Sequence, residues 1–286
     1  MADARLIDGT AVARDIMNRT GEKAADFEKR TGAKPCLATV LVGEDPASVT
    51  YVRMKRNRCA KFGIESRHVP LPDTITTEEL VGAITELSND PSVHGILLQH
   101  PVPAHIDERA AFDAISAEKD VDGVTSQSFA AMAFGFDGFA SCTPAGIMRL
   151  LDAYDVDPRG KHAVVIGRSA ILGKPMSMLL LARDATVTVC HSKTTDLPSH
   201  VRNADIVVAA VGKPEFVRGE WIKPGAVVID AGYNEGNIGD VEFDAAATRA
   251  GLITPVPGGV GPTTIAVLLE QTVTAAFRQQ QIPAEA

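Results

Sequence analysis

Apolar residues in this chain form short continuous runs separated by longer stretches with helical periodicity. Apolar runs of strand length begin at Cys36, Gly95, His162, Ile206 and Ala226, and further strands are expected near Glu65 and at Thr186. Continuous apolar runs are typical of parallel strands buried on both faces, and helices between them indicate right-handed crossover connections. The pattern therefore predicts an α/β protein with two α/β domains around a cleft, the second a Rossmann-like doubly wound parallel sheet. Clefts of this kind are preferred ligand sites.

Several predicted helices carry start signals. Asp8 begins a capping sequence for a helix that runs to about residue 30, and Thr76 with Glu79 forms a capping box. Thr143 is expected to cap a further helix, with Pro144 in its first turn, where a missing N–H group costs nothing.

Two irregular segments set the predicted domain boundaries. Residues 125–140 are rich in Ala, Gly, Ser and Phe, and we place the domain connection there. Residues 254–264 contain too much Pro and Gly for regular structure. The last helix, from about Pro262 to Gln280, is expected to fold back onto the first domain. The predicted domains are therefore 1–140 plus 263–286, and 141–262.

A glycine turn follows the apolar run His162–Ile166. Gly167 and Gly173 bracket it, and a helix through Met176 follows. Without Cβ atoms, these glycines would let the backbone approach a pyrophosphate near free N–H groups at the helix start. Because the spacing is not G-x-G-x-x-G, a strand–turn–helix unit without any ligand remains the alternative.

The end of the next predicted strand indicates which cofactor this turn would hold. NAD enzymes of this fold place an acid there that binds the ribose hydroxyls. Here the strand ends at Cys190 and is followed by Ser192 and Lys193, and Arg168 lies in the glycine turn. A cation and a hydroxyl suit a 2′-phosphate, which predicts NADP. The alternative is that Arg168 and Lys193 are solvated surface charges.

A basic helix supplies a candidate catalytic group. Tyr51 and Lys55 are four residues apart and therefore share one helix face. A flat heterocycle could stack on the tyrosine while the lysine acts on it. Like charge on Arg53, Arg56 and Arg58 favours the neutral amine that a base requires. The alternative is an exposed basic helix with one half-buried tyrosine.

Two polar residues follow the strand that begins at Gly95. Gln99 closes that strand at the carboxyl edge, where an amide can hold a lysine or a substrate amide without changing the charge. Asp122, in the sequence KDVDG, can accept hydrogen bonds from the ring N–H groups of a heterocycle. Alternatively, Gln99 is only a strand terminus, and Asp120 or Asp122 a turn residue.

Composition narrows the class of protein. The 286 residues carry a net charge of −8, which argues against nucleic acid or an anionic membrane as a partner. No apolar stretch approaches the ~20 residues of a membrane span, and the first residues lack the features of a signal peptide. The four cysteines show no metal-binding or C-x-x-C spacing, so we expect reduced packing residues. These features predict a cytoplasmic protein.

Seven short motifs occur along the chain in one order and spacing. They are Tyr51-x-x-x-Lys55, Gly95-Ile-Leu-Leu-Gln99-x-Pro101, Lys119-Asp-Val-Asp122-Gly123, Cys142-Thr-Pro144, Gly167-Arg-Ser169, Cys190-His-Ser192 and Pro255-Val-Pro-Gly-Gly-Val-Gly-Pro262. Together they resemble the bifunctional methylenetetrahydrofolate dehydrogenase/cyclohydrolase (FolD) family over essentially the whole chain.

The resemblance implies an activity and a role for each site residue. The implied enzyme oxidises 5,10-methylenetetrahydrofolate with NADP and hydrolyses the 5,10-methenyl product to 10-formyltetrahydrofolate. Lys55 becomes the catalytic base, Gln99 its orienting partner, Tyr51 the stacking platform and Asp122 the pterin anchor. The implied cofactor contacts are Gly167, Arg168, Ser169, Gly173, Ser192 and Tyr233. Further substrate contacts are Pro257, Gly258 and Gly259, and no metal is implied.

The resemblance also implies a homodimer that serves purine and amino-acid biosynthesis. His100 stands where a leucine is common, and Tyr233 where a smaller residue is usual. Two rival functions stay open at this point. An NAD-linked dehydrogenase acting on another cationic intermediate is disfavoured by the missing acid. A non-catalytic pterin- or nucleotide-binding module is disfavoured because binding alone would not require Lys55.

Overall fold

The computed structural model describes residues 4–283, which form two compact units. The three-stranded unit contains Asp15–Ala140 and the chain from Ala266 onward. The six-stranded unit contains the chain up to Arg14 together with Ser141–Ile265. Each unit is named for its parallel sheet, and the predicted α/β class is confirmed.

In chain order, the strands are β1 (Arg5–Leu6), β2 (Cys36–Val42), β3 (Glu65–Leu71), β4 (Gly95–Leu98), β5 (His162–Ile166), β6 (Thr186–Cys190), β7 (Ile206–Ala209), β8 (Val227–Asp230) and β9 (Leu252–Ile253). The α-helices are α1 (Gly9–Thr31), α2 (Pro46–Lys61), α3 (Thr77–Asn89), α4 (Glu108–Asp113), α5 (Ser126–Phe134), α6 (Cys142–Ala153), α7 (Gly173–Ala182), α8 (Leu197–Arg202), α9 (Phe243–Ala247) and α10 (Val260–Gln279). Short 3₁₀ helices form at Gly219–Trp221 and Glu235–Asn237.

The three-stranded sheet has the order β3-β2-β4, with every pairing parallel. Its central strand β2 is buried at every residue, which explains why its sequence is a continuous apolar run. Beyond the end of β4, the backbone N–H of Gln99 donates to the carbonyl of Val40 at 2.9 Å. Gln99 is thereby fixed at the carboxyl edge of this sheet.

The six-stranded sheet has the order β1-β9-β8-β7-β5-β6, again with parallel pairings. Alternate residues of one strand enter different hydrophobic cores. Val164 and Val207 belong to one core, whereas Val165 and Val208 belong to the other. Since both faces of the sheet are covered, the predicted doubly wound arrangement is confirmed.

The strand order of the six-stranded sheet reverses at β5. The chain passes from β5 to β6 on one side, and then crosses to β7 on the other side. Just beyond these strands, Gly167 N–H donates to the carbonyl of Cys190 at 2.9 Å, and Ala210 N–H donates to that of Ile166 at 2.8 Å. Open α/β sheets bind ligands at the carboxyl ends of strands flanking such a switch point.

Two predicted helix starts are confirmed. Asp8 Oδ1 accepts a hydrogen bond from Ala11 N–H at 3.0 Å at the start of α1. Thr76 and Glu79 form both hydrogen bonds of the capping box that begins α3.

The prediction of an irregular connection over residues 125–140 is wrong in its first half, where α5 lies. Thr125 caps this helix, because its side chain accepts from Ser128 N–H at 3.0 Å. Gly135 ends it in the left-handed conformation, with φ of 73°. The serines and alanines of residues 126–134 are therefore helical.

Two other helix starts differ from the prediction. Helix α6 begins at Cys142 after Ser141, so Thr143 lies inside the helix and does not cap it. Helix α10 begins at Val260, within the Pro- and Gly-rich segment. Pro262 lies in the first turn of α10, where a proline removes no helical hydrogen bond.

The two units differ from the predicted domains at the N-terminus. Strand β1 pairs with β9, with Arg5 opposite Leu252 and Leu6 opposite Ile253. Ile7, which follows β1, is fully buried in a core of the six-stranded unit. A strand of two residues carries too little periodicity to be recognised from the sequence.

The cysteines Cys36, Cys59, Cys142 and Cys190 are free and buried, as predicted. Burial raises the pKa of Cys36 to about 11 and that of Cys59 to about 12, so these two thiols are unreactive packing residues. Over residues 4–283, no helix has the length and apolar character needed to cross a membrane.

Candidate active site and cofactor site

Helix α2 carries Tyr51 and Lys55 on one face. Asp45 caps this helix through Ser48 N–H at 2.8 Å. Lys55 is half-buried, and its Nζ atom donates to Oε1 of Gln99 at 3.0 Å. Tyr51, one turn earlier, leaves 38% of its surface exposed. The structure thus brings the predicted lysine and glutamine together, with an accessible aromatic ring on the same helix face.

The amide of Gln99 is held from two directions. Its Nε2 atom donates to the carbonyl of His100 at 2.8 Å, which leaves Oε1 to face Lys55. Gln99 is only 8% exposed. Because an amide carries no charge, it positions the amine without requiring the protonated form, as a carboxylate would.

Asp122 projects from a turn that is fixed beside β4. Ile96 N–H donates to the carbonyl of Lys119 at 2.8 Å, and Gln271 Nε2 donates to that of Val121 at 2.8 Å. Asp122 itself is half-buried. It lies in the same unit as Lys55 and Gln99.

The other charged residues of the KDVDG turn, Lys119 and Asp120, have structural roles. A turn residue was one alternative that the sequence offered for Asp120, whereas it indicated no role for Lys119. Asp120 is fully buried and accepts from the N–H groups of Val124 at 3.1 Å and Thr125 at 2.9 Å, and burial raises its pKa. Lys119 Nζ donates to the carbonyls of Leu87, in the last turn of α3, and of Asp90, which follows that helix, and burial lowers its pKa. A clue was available, since a lysine often satisfies helix-end carbonyls.

In the six-stranded unit, the two glycines of the turn after β5 are required by close backbone packing. A Cβ atom on Gly173 would collide with the carbonyl of Gly167. A Cβ atom on Gly167, whose φ is 131°, would collide with the carbonyl oxygen of Ala210. The turn therefore closes on itself and against the loop that follows β7.

The expectation of free N–H groups at the start of α7 is wrong for three residues. Ser169 Oγ accepts from Leu172 N–H at 3.2 Å and from Gly173 N–H at 3.3 Å. The carbonyl of Ser169 accepts from Lys174 N–H at 3.1 Å. Ser169, between the two glycines, therefore folds back over the start of α7.

The exposed polar groups that follow β5 and β6 fit a 2′-phosphate. Arg168 follows β5, while Ser192 and Lys193 follow the adjacent strand β6, and the side chains of all three are exposed. The first acid after β6 is Asp196, and its carboxylate accepts from Ser199 N–H at the start of α8. No acid occupies the position where NAD enzymes bind the ribose, so the residues present suit NADP.

The remaining predicted contact residues also lie in the six-stranded unit. Tyr233 is 58% exposed, and its hydroxyl donates to Asn237 Oδ1 at 2.6 Å. Pro257 is exposed, Gly258 is half-buried and Gly259 is buried. The backbone of Gly258 and Gly259 packs on the start of α1, because a Cβ atom on Gly9 would collide with the Gly259 carbonyl.

Within residues 4–283, no group of three or more His, Cys, Asp or Glu side chains is arranged to hold a metal ion.

Comparisons with known proteins cover both units. The profile of the tetrahydrofolate dehydrogenase/cyclohydrolase catalytic domain matches residues 7–122. The profile of the NAD(P)-binding domain of the same enzymes matches residues 141–280. Among named proteins, the chain is 72% identical over 276 residues to bifunctional protein FolD 1 of Streptomyces avermitilis, covering 96% of each chain.

Comparison with solved structures also finds dehydrogenase/cyclohydrolase enzymes of this kind. The bifunctional FolD enzyme of Campylobacter jejuni superposes with a TM-score of 0.94 at 44% identity, covering 96% of this chain and 99% of that one. The Trypanosoma brucei dehydrogenase-cyclohydrolase, solved with NADP and an inhibitor, has a TM-score of 0.94 at 41% identity. That match covers 98% of this chain and the whole of the other.

Proposed function

The chain belongs to the tetrahydrofolate dehydrogenase/cyclohydrolase family, and we propose which of its residues carry out the two reactions. It is an NADP-dependent enzyme that oxidises 5,10-methylenetetrahydrofolate to the 5,10-methenyl compound and hydrolyses this product to 10-formyltetrahydrofolate. The observation that carries the residue assignment is the 3.0 Å hydrogen bond from Lys55 Nζ to Gln99 Oε1.

The oxidation requires positioning more than proton transfer. The reacting carbon lies between two nitrogens, so loss of a hydride leaves a cation that both nitrogens stabilise. When bound, NADP supplies the acceptor for that hydride. Tyr51 presents its ring as a stacking surface for the pterin, and Asp122 accepts hydrogen bonds from pterin N–H groups. No protein base has to remove a proton in this step.

The hydrolysis does require a base, and Lys55 is the proposed one. Its amine takes a proton from the water that attacks the same carbon. When the resulting hydroxyl adduct opens, the lysine returns its proton to N5 and the bond from the carbon to N5 breaks. The hydroxyl group loses its proton to solvent as it becomes the carbonyl of the formyl group. Gln99 acts through Lys55 and holds the amine at the site of both transfers. One residue therefore serves as base and then as acid.

The two units divide these tasks. We assign folate binding and catalysis to the three-stranded unit, which contains Tyr51, Lys55, Gln99 and Asp122. We assign NADP binding to the six-stranded unit, with Arg168 and Ser192 as the proposed ligands of the 2′-phosphate. The proposed cofactor contacts also include Gly167, Ser169, Gly173 and Tyr233. Pro257, Gly258 and Gly259 are proposed as further substrate contacts.

We further propose that the enzyme is a cytoplasmic homodimer whose products supply purine and amino-acid biosynthesis. Family membership supports this proposal. A small-molecule substrate also agrees with the net charge of −8, which disfavours nucleic acid. Light scattering coupled to size-exclusion chromatography would test the dimer directly.

One assay tests the function as a whole. The purified protein is given 5,10-methylenetetrahydrofolate with NADP or with NAD, and both reduced cofactor and 10-formyltetrahydrofolate are measured. The proposal expects both products and a strong preference for NADP. Reduction of NADP without 10-formyltetrahydrofolate would contradict the assignment of Lys55 as a working base in this chain.

A further inference from the structure

Two buried carboxylates in the six-stranded unit take no part in the proposed chemistry. Asp230 is the last residue of β8, and Asp240 lies ten residues later in the segment that leads to α9. Their exposed fractions are 3% and 0%. Burying a carboxylate is costly unless hydrogen bonds compensate it, so each requires a structural reason.

Asp230 fixes the backbone around Asp240. Its Oδ1 atom accepts from the N–H groups of Gly232 and Asp240, each at 2.9 Å. Its Oδ2 atom accepts from Val241 N–H, also at 2.9 Å. These bonds place the Cα atom of Asp240 and so set where its carboxylate points.

Asp240 in turn holds the loop that follows β7. Its Oδ2 atom accepts from Val211 N–H at 2.6 Å and Gly212 N–H at 2.9 Å, and its Oδ1 atom accepts from Lys213 N–H at 2.9 Å. Asn234 Nδ2 also donates to Oδ1 at 3.1 Å. A single carboxylate thus binds three successive backbone N–H groups and holds the backbone of the loop at those residues.

Neighbouring glycines leave space for both carboxylates. A Cβ atom on Gly232 would collide with the carboxylate of Asp240, and one on Gly239 would collide with that of Asp230. Glycine is therefore required at both positions, because any side chain there would overlap one of the carboxylates.

This loop forms one side of the topological switch point. It begins after Ala210, whose carbonyl packs against Gly167 of the glycine turn, as described above. The turn after β5 and the loop after β7 are the two segments between which a doubly wound sheet binds its ligand. The loop's position therefore determines the shape of the NADP site, although Asp240 itself is buried.

We propose that Asp240 is a positioning residue for NADP, acting through the N–H groups of Val211, Gly212 and Lys213, with Asp230 fixing Asp240 in place. This inference rests on the proposed function, since it takes NADP to be the ligand. An asparagine at position 240 would present an N–H₂ group in place of one oxygen, so at least one of the three N–H groups would lose its acceptor.

The first test compares Asp240→Asn with Asp244→Asn. The control removes the same charge four residues later, from an exposed side chain in the first turn of α9. NADP dissociation constants are measured by calorimetry well below each unfolding temperature. We expect Asp240→Asn to raise the constant about tenfold, the equivalent of about 1.4 kcal/mol, and Asp244→Asn to leave it unchanged. The cyclohydrolase activity of Asp240→Asn, assayed without NADP, is expected to stay within about twofold of wild type. The proposed residues for that reaction, Lys55 and Gln99, lie in the three-stranded unit.

A second measurement needs no variant and so does not depend on whether Asp240→Asn folds. Amide hydrogen exchange of the wild-type protein is followed with and without NADP. We expect NADP to slow exchange at residues 211–213 as well as in the glycine turn. Protection of the turn alone, or a lower unfolding temperature in Asp240→Asn with an unchanged NADP constant, would overturn the role of Asp240. Failure of the wild-type protein to bind NADP would instead refute the proposed function.

Discussion

Lys55 Nζ donates to Gln99 Oε1 at 3.0 Å, although 44 residues separate them in the sequence. The contact joins a helix residue to the carboxyl edge of the three-stranded sheet. The same glutamine donates from Nε2 to the carbonyl of His100, so a 180° flip of the amide would break both hydrogen bonds. A neutral amine can make this contact while its lone pair remains available for a proton.

Arg168→Ala is expected to weaken NADP binding selectively. A charge-assisted contact with the 2′-phosphate contributes about 1.5–3 kcal/mol, so the dissociation constant should rise roughly 10- to 150-fold. NAD, which lacks this phosphate, should bind almost as before. Arg159→Ala, which removes an exposed arginine on the turn that precedes β5, is the control and should change neither constant. Equal losses for both cofactors would show that Arg168 meets another part of the cofactor or supports the fold.

His100→Leu should preserve both activities. The imidazole is half-buried and packs edge-on against the buried ring of Phe112, with 6.3 Å between ring centroids. His100 therefore packs against Phe112, and a leucine can make most of the same contact. The measurement is the pH profile of the cyclohydrolase step in both proteins. If the variant lost a limb of that profile and most of its rate, His100 would be a second proton carrier.

Gly173→Ala should destabilise the six-stranded unit and impair NADP binding. The new Cβ atom would collide with the Gly167 carbonyl, so the surrounding backbone has to move. This movement should lower the free energy of unfolding by about 1–3 kcal/mol. Gly82→Ala is the matched control, because its Cβ atom meets no heavy atom within 4 Å in α3. It should stabilise the protein by about 0.4–1 kcal/mol in urea unfolding. Similar effects of the two substitutions would contradict the close packing of the turn.

Asp230 should make stability depend on pH. Burial raises its pKa to about 6, with the nearby Asp240 contributing, although three backbone N–H donors oppose the rise. The folded protein then keeps this proton to a higher pH than the unfolded chain does. Its contribution to the free energy of unfolding therefore falls as pH rises from about 4 to about 6.

Comparison with Asp230→Asn isolates this contribution. The free energy of unfolding of the wild type, relative to the variant, should fall by about 2 kcal/mol between about pH 4 and pH 7. Urea unfolding at a series of pH values measures it. A difference between the two proteins that stays constant over this range would rule out a raised pKa at Asp230.

The sequence predicts the strands of the two sheets well, but it does not predict the hydrogen bonds of buried polar side chains. Strand β2 is recognisable because both of its faces are buried, whereas β1 is too short to show any periodicity. The placement of Gln99 at a strand end was predictable, but its contact with Lys55 depends on packing between elements that are distant in sequence. Buried acids such as Asp120 and Asp240 escape prediction because their partners are backbone N–H groups, which look alike in every sequence.

The most direct test of the account is hydrolysis of 5,10-methenyltetrahydrofolate by Lys55→Met, with NADP affinity measured on the same preparation. Lys61→Met, an exposed lysine at the end of the same helix, is the matched control. The account predicts that Lys55→Met loses cyclohydrolase activity by about 10²–10⁴-fold and keeps its NADP affinity, whereas Lys61→Met retains both. Hydrolysis by Lys55→Met at the wild-type rate would show that Lys55 is not the base.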